Sequence, residues 1–393
     1  MKLSLRLGHL LKHRRQRGLI REINEHTGVE RHAISAFLNN TASYVSLDAL
    51  GRICDYLIKV VQIDPTRLPG ALFALERDGF WSMLVDRQRF EFCMATRTEP
   101  TWPGRFYVTT DDAHLQGILV SGISAEKPLA PSDESSEDTP PLRHFPDPHL
   151  VPAPQLVNPQ AADRKTEILG RETAHTIYTE FRKQTENSAL IAIGSIKGQS
   201  LLELMLADTF SAEPFTSEDD IGSPDERACP IYFMYRESDI SPASLCGGRQ
   251  LSRQQEERGK DVVPGIYYET ESGEWKCCPW EENAHDVAFV FYAYRPSVQE
   301  LQLACGGFSS TATRLLSAHL MRVAGELWES RYKSTNLEVG LFLVQFDAVS
   351  AAGKDVLSTD VPEFSLKVIP VPAEAITRRL ERKPRKKKPQ PSP

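Results

Sequence analysis

Along the first 60 residues, apolar side chains recur at the three- and four-residue steps of one helical face, in four separate runs. Leu7, Leu10 and Leu11 form one stripe, Ile20 and Ile23 a second, Val29, Ala33, Ile34, Phe37 and Leu38 a third, and Leu47, Leu50, Ile53, Leu57 and Ile58 a fourth. The spacing predicts four short helices, each with one buried face. Between the second and third stripes, Thr27-Gly28-Val29 puts a glycine where the chain must turn sharply. Glycine takes the left-handed conformation that ends one helix and redirects the chain into the next. The third helix is expected from about Glu30 to Leu38, with Arg31, His32, Ser35 and Asn39 opposite Ile34 and Phe37. Ser46 is placed to cap the fourth helix, whose first turn carries Asp48 at the positive end of the helix dipole.

After residue 66 the pattern changes. Residues 67–123 read as the first part of an α/β body: a helix around Leu72 to Leu84, a strand FEFCMATR, then strand, polar turn and helix in RFYVTTDDAHLQGILVSGI, with Asp111 and Asp112 at the helix mouth. Residues 124–159, centred on PSDESSEDTPP, have the composition of a solvated linker or long loop. With strand and helix signals on both sides, this segment reads as an excursion between two parts of one domain. Residues 160–375 form the main part, with strand cores ALIAIG, PIYFMYR, PGIYYE, DVAFVFYAY, ELQLACGG and VGLFLVQFD and helices near 162–185, 200–208 and 309–330. The closely spaced strands between 231 and 304 leave too little chain for a helix at every crossover. The expected fold is therefore a small all-α domain (residues 1–66) followed by a mixed-sheet α/β or α+β domain. The aromatic residues of the middle strands, such as Tyr232, Tyr267 and Trp275, read chiefly as strand-favouring core.

Charge divides the chain in the same way. Its 393 residues carry −7 overall, yet residues 1–60 hold ten Lys or Arg against five Asp or Glu, and residues 378–388 hold eight against one, leaving −19 on the rest. Two basic ends on an acidic body suit a molecule whose ends alone touch nucleic acid. The end of the chain, residues 376–393, with RRLERKPRKKKPQPSP, reads as a disordered basic tail: a set of phosphate contacts, a solubility tail or a nuclear import signal. Seven cysteines at irregular spacing argue for reduced thiols, and a zinc site would need an assembly such as Cys229, Cys246, Cys277 and His285 without recognisable spacing, so no metal is expected. No run of about 18 apolar residues and no signal-peptide core occurs, so the chain is expected in the cytoplasm, nucleoid-associated in the bacterial manner and away from membranes.

In its T-G-V turn, the following I-S and a short polar loop before the fourth helix, the first stretch of about 65 residues resembles the Cro/C1 (XRE) family of bacterial and phage regulators. The resemblance implies that the helix after Gly28 lies in the major groove of double-stranded DNA while the preceding helix crosses the backbone. It makes Arg31, His32 and Ser35 base-reading candidates and Arg21, Asn39 and Thr41 phosphate contacts. Glu30 would repel phosphate unless it accepts from a cytosine amine or pairs with Arg31. A homodimer is expected, because one short helix reads few base pairs. The competing reading is a helical bundle that binds protein as an interaction scaffold.

Two strand-to-helix junctions suggest a site in the body. Gly194, Ser195 and Lys197 follow one strand; Gly306, Gly307, Ser309, Ser310, Thr311 and Arg314 follow another. Amides at such turns form a positive concavity, and parallel strands would bring both loops to one pocket for an anionic or nucleotide-like effector. Neither loop has a nucleotide-binding spacing, and small residues needed for packing explain each equally well. For catalysis there is no HExxH and no GxSxG; His175, His285 and His319 stand isolated, and a Ser195–Lys197 dyad would need unusual geometry on a turn. The sequence thus reads as a transcriptional regulator, a repressor by occupancy, whose body senses a ligand or dimerises, and not as an enzyme. The alternative is a nucleotide- or sugar-phosphate-processing enzyme with a DNA-targeting appendage.

Overall fold

The computed structural model describes residues 2–5, 7–11, 18–38, 42, 44–66, 68, 72–76, 79–85, 87–98, 105–125, 145–153, 156–158, 161–162, 164–220, 224–239, 243–251, 262–348 and 364–382. The four N-terminal stripes become α1 (Leu7–Leu10), α2 (Leu19–Thr27), α3 (Arg31–Leu38) and α4 (Leu47–Lys59). They meet in a core of their own, with Leu7, Ile23, Ile34, Ile53 and Leu57 fully buried. Strands β1 (Lys2–Leu5) and β2 (Phe73–Glu76) pair antiparallel, from Lys2 opposite Glu76 to Leu5 opposite Phe73. This pairing corrects the helix expected around Leu72 to Leu84. Residues 73–76 are extended because they have a strand partner at the start of the chain, and the helix α5 (Phe80–Val85) begins only after Gly79. In the fourth stripe Leu47, the first residue of α4, is 85% exposed, and Tyr56 takes the buried place beside Ile53 and Leu57.

The body is organised by a nine-stranded mixed sheet. Its strands are β3 (Arg89–Thr98), β4 (Phe106–Tyr107), β5 (His149–Pro152), β8 (Ser188–Ile193), β13 (His285–Arg295), β14 (Glu300–Gly307), β15 (Tyr332–Lys333), β16 (Glu338–Ala348) and β17 (Phe364–Pro370). The path runs β16-β13-β14-β8-β3, with β15 and β17 along the free side of β16, and β4 and β5 along that of β3. Strands β14, β8, β3 and β5 are parallel neighbours, while β13, β16 and β17 are antiparallel. A short antiparallel pair, β6 (Leu156–Asn158) and β7 (Ala161–Ala162), stands apart.

The central strands β8, β13 and β14 are buried on both faces, and alternation divides their side chains between two cores. Leu190, Ala192, Phe289 and Phe291 face a layer made by α7 (Arg164–Lys183), α8 (Ser200–Thr209) and a second, four-stranded sheet. Ala189, Ile191, Ile193, Val290 and Tyr292 face α5, α6 (Thr110–Ala125) and α9 (Ser310–Val323). The second sheet runs β10 (Gly248–Gln250), β9 (Ile231–Tyr235), β11 (Gly265–Glu269), β12 (Trp275–Pro279). Burying each such aromatic or aliphatic side chain contributes about 1.5–3 kcal/mol, which makes the sheet the main source of the body's stability.

Two segments read as unstructured join this architecture. Within 124–159, β5 pairs in parallel with β3 because Val151 is an apolar residue fully buried in the first core. In the stretch read as a disordered basic tail, residues 376–380 belong to α10 (Ala373–Leu380), whose Ala375 and Ile376 are buried in that same core. Arg379 there is 5% exposed and ion-paired to Glu269, Arg378 pairs with Glu269 as well, and Arg382 donates to the Arg227 carbonyl. Three of the basic residues are thus fixed to the body; residues 383–393 lie outside the described residues. The helix expected over 309–330 stops at Val323.

Candidate nucleic-acid interface

The turn between α2 and α3 is fastened by its own side chains. Gly28 sits at φ 65°, in the left-handed region that favours glycine, and its N–H donates to the Asn24 carbonyl at 2.8 Å. Asn24 Nδ2 donates to the Val29 carbonyl at 2.8 Å, Thr27 Oγ1 donates to the Ile23 carbonyl at 2.6 Å, and the Val29 N–H donates back to Thr27 Oγ1 at 3.2 Å. Helix α4 locks this unit from outside. Ser46 Oγ accepts from the Ala49 N–H at 3.0 Å as the expected cap, Tyr56 donates to Glu22 Oε1 at 2.8 Å, and Arg52 reaches the Thr27 carbonyl at the negative end of α2 at 3.5 Å.

On this frame α3 buries Ile34 and Phe37 and turns Arg31 and His32 outward, both exposed at its N-terminal end. Ser35 is half-buried one turn later. Glu30, which precedes the helix, pairs with His32, Oε2 to Nε2 at 3.1 Å. With Glu30 and His32 both about four-fifths exposed, this contact is weak and exchangeable. Arg21 on α2 is also exposed, its Nε on Glu25 Oε1 at 2.6 Å, and that hydrogen bond is the largest cause holding the Glu25 carboxyl below its ordinary value. Asn39 and Thr41 lie outside the described residues. Arg52 and the Glu22–Tyr56 pair escaped the sequence reading, because no local pattern marks a side chain that bonds across to another helix.

The two loops of the body do adjoin, since β8 and β14 are parallel neighbours. A Cβ on Gly306 would lie 2.5 Å from the Gly194 carbonyl, so close approach of two backbones requires glycine there. Their donors are turned inward. The Gly194 N–H donates to the Cys305 carbonyl at 3.0 Å, and the Gly198 and Gln199 N–H groups donate to the Ser195 carbonyl at 3.0 and 2.9 Å. The Gly307 N–H donates to Thr313 Oγ1 at 2.9 Å, and the Ser309 hydroxyl donates to Asp286. Lys197 sends Nζ to Asp239 Oδ2 at 3.1 Å and over the Phe308 ring at 3.9 Å. Burial lowers its pKa to about 8 against the opposing pull of Asp239. Ser195 Oγ meets the Lys197 backbone N–H, at 3.4 Å, while the Lys197 amine is turned to Asp239. Thr311 is half-buried, and Ser310 and Arg314 are exposed on α9. Asp112 stands beside Gly194, its carboxyl raised by burial to about 6.

The other chemistry-bearing residues are dispersed. His285 Nδ1 contacts Asp347 at 2.7 Å, His175 is exposed, and burial holds the half-buried His319 below its ordinary value. The Cys229 and Cys246 thiols adjoin, whereas Cys277 adjoins Tyr267. No group of three or more His, Cys, Asp or Glu among the described residues suits a metal ion, and no helix among them is long and apolar enough to cross a membrane.

No curated protein and no solved structure matches the chain. One family model does, over residues 6–58, the span that holds α1 to α4 and the Gly28 turn. The N-terminal region is a Cro/C1-type helix-turn-helix DNA-binding domain, and the mixed-sheet body that follows is matched to no family.

Proposed function

We propose that the protein is a sequence-specific transcriptional regulator that represses by occupying its operator as a homodimer, while the body senses a small molecule or holds the two copies together. The observation that carries this reading is the presentation of Arg31 and His32 at the exposed N-terminal end of α3, immediately beyond the Gly28 turn of a Cro/C1-type domain. In that geometry the first turn of α3 enters the major groove, Arg31, His32 and Ser35 meet base edges, and Arg21, Asn39 and Thr41 hold phosphates. Charge supports it: the 60 residues that would touch DNA carry +5 and the chain outside the two basic ends carries −19, which orients the molecule with its reading end toward the duplex. A ligand changes occupancy to the extent that it binds one arrangement of the body better than another.

The test is selection from random duplex DNA with the full chain. The expected result is enrichment of a two-fold symmetric site with half-sites about one helical turn apart. Binding that never enriches a sequence, or association that is insensitive to salt, would refute the reading and favour a protein-binding scaffold.

A further inference from the structure

The loop after α8 concentrates negative charge. Residues 212–226 hold Glu213, Glu218, Asp219, Asp220, Asp225 and Glu226 and no Lys or Arg. With Glu167 on α7 they make seven carboxylates, against four arginines: Arg164 and Arg171 on α7 and the buried Arg227 and Arg249. Between this loop and α7 opens a cavity of about 520 Å³, lined by Glu167, Glu218 and Asp219 and by the apolar Ile168 and Phe215. Ile168 is 55% exposed. Phe215 sits at φ 58°, in the left-handed region that costs a bulky residue energy. It is held there by Glu203 Oε1, which accepts its N–H at 2.6 Å, and by the Arg171 guanidinium 4.8 Å from its ring. The wall of the cavity is therefore fixed before anything enters it. Arg171, which also lines the cavity, is already matched by Glu167 at 2.8 Å, and Glu218 by Arg249 at 2.7 Å. A carboxylate offers about four acceptor sites, so pairing with one arginine leaves Glu167 room for a further cation. Asp219 is exposed.

The chain itself brings a cation-rich segment to this place. After α10, Arg382 Nη1 donates to the carbonyls of Asp225 and Arg227, at 3.3 and 2.7 Å, so the last residues of the chain begin beside the acidic loop. Residues 383–393 carry Lys383, Arg385, Lys386, Lys387 and Lys388 and no Asp or Glu. That length extends up to about 36–40 Å, whereas the chain from Asp225 back to Asp219 spans at most about 22 Å, so the cavity is within reach. Lysine and arginine stems cover apolar surface while their heads meet carboxylates, which suits a cavity that sets Ile168 and Phe215 beside Glu167 and Asp219.

We propose that residues 383–388 of the basic tail dock in the cavity between α7 and the loop after α8 of their own chain, with their cations on Glu167 and Asp219. This use of the tail differs from phosphate contact, solubility and nuclear import. In the free protein the five charges of the tail meet the body first, and any duplex must compete for them. The proposal goes beyond the reading of α3 and does not depend on it.

The test is zero-length cross-linking of the full chain by a carbodiimide, without DNA, in dilute solution at low salt. Links between lysines and carboxylates are mapped by mass spectrometry after mixing nitrogen-14 and nitrogen-15 chains. The expected result is links within one chain from Lys386, Lys387 or Lys388 to Glu167 and Asp219. Their yield should fall about fivefold or more in 1 M sodium chloride, where charges act over only about 3 Å. Ile168→Arg keeps every lysine and carboxylate, changes an exposed position and sets a cation in the cavity, and it should reduce those links by a similar factor. Tail links confined to Asp225 and Glu226, which the tether alone brings near, overturn the proposal. So do tail links to carboxylates elsewhere on the body, links that join two copies, an absence of tail links, or links that Ile168→Arg leaves unchanged. Should that variant fail to fold, the wild-type map decides, Glu167 and Asp219 against all other carboxylates. Because no DNA is present, a failure here leaves the reading of α3 intact.

Discussion

The chain makes a glycine turn into a helix at Gly28 and again at Gly306-Gly307, and the two turns spend the same ingredients in opposite ways. Beyond Gly28, α3 packs through one stripe, Ile34 and Phe37, and leaves Arg31 and His32 in water. Beyond Gly307, α9 packs against α6 as well as the sheet, and Ser309 and Thr313 turn back to hold Asp286 and the Gly307 N–H. At the start of α9 the polar side chains are held inside the protein, whereas at the start of α3 Arg31 and His32 are exposed, His32 meeting the equally exposed Glu30. What makes a recognition surface is the polar side chain that the fold leaves without internal work, and the turn alone does not supply it.

The largest effects should separate the two regions energetically. Phe289→Ala, deep in the main sheet, should cost the body about 3–5 kcal/mol while leaving duplex binding intact, whereas Ile34→Ala should cost the helical region about 2–5 kcal/mol and abolish binding. The four N-terminal stripes and the sheet share no core residue, so calorimetry should show each variant shifting its own transition. A single shared shift would break the comparison.

A pH experiment sharpens the inward-facing side. Burial, the largest cause, holds Asp112 at about 6 against an ordinary 3.8, so the folded chain retains this proton when the unfolded chain has lost it. Stability from this group is greatest below about 4, falls as pH rises toward 6 and is lost above it, by up to about 3 kcal/mol. Asp112→Asn should therefore match wild type near pH 4 and exceed it in urea resistance at pH 8. A gap that does not widen with pH would mean the carboxyl is hydrated and charged in the fold.

How much of this was legible in the sequence follows from how local each signal is. Helices α1 to α4 announced themselves through one-sided stripes, and Gly28 and Ser46 through chemistry that needs no distant partner. The strand cores of β3, β8, β9, β11, β13, β14 and β16 were equally plain as apolar runs. Segments whose structure depends on a remote partner were hidden: β2 needs Lys2–Leu5, β5 needs β3, and α10 needs Glu269 to receive Arg378 and Arg379. The glycines at 194 and 306 were visible, but the reason for them, two backbones in near contact, belongs to strand order. Arg227 and Arg249 gave no signal at all, because an arginine's burial cannot be read from its neighbours in the chain.

The comparison rests finally on whether the outward residues of α2 and α3 read DNA in two different ways. On the selected operator and on single-base variants of it, Arg31→Ala should weaken binding by about 1–3 kcal/mol and lose discrimination at one base pair per half-site. Arg21→Ala should weaken all sequences alike and reduce the salt dependence by about one phosphate contact. If Arg31→Ala leaves base preference unchanged in a folded protein, α3 does not read the groove and the account of this molecule as an operator-specific regulator is contradicted.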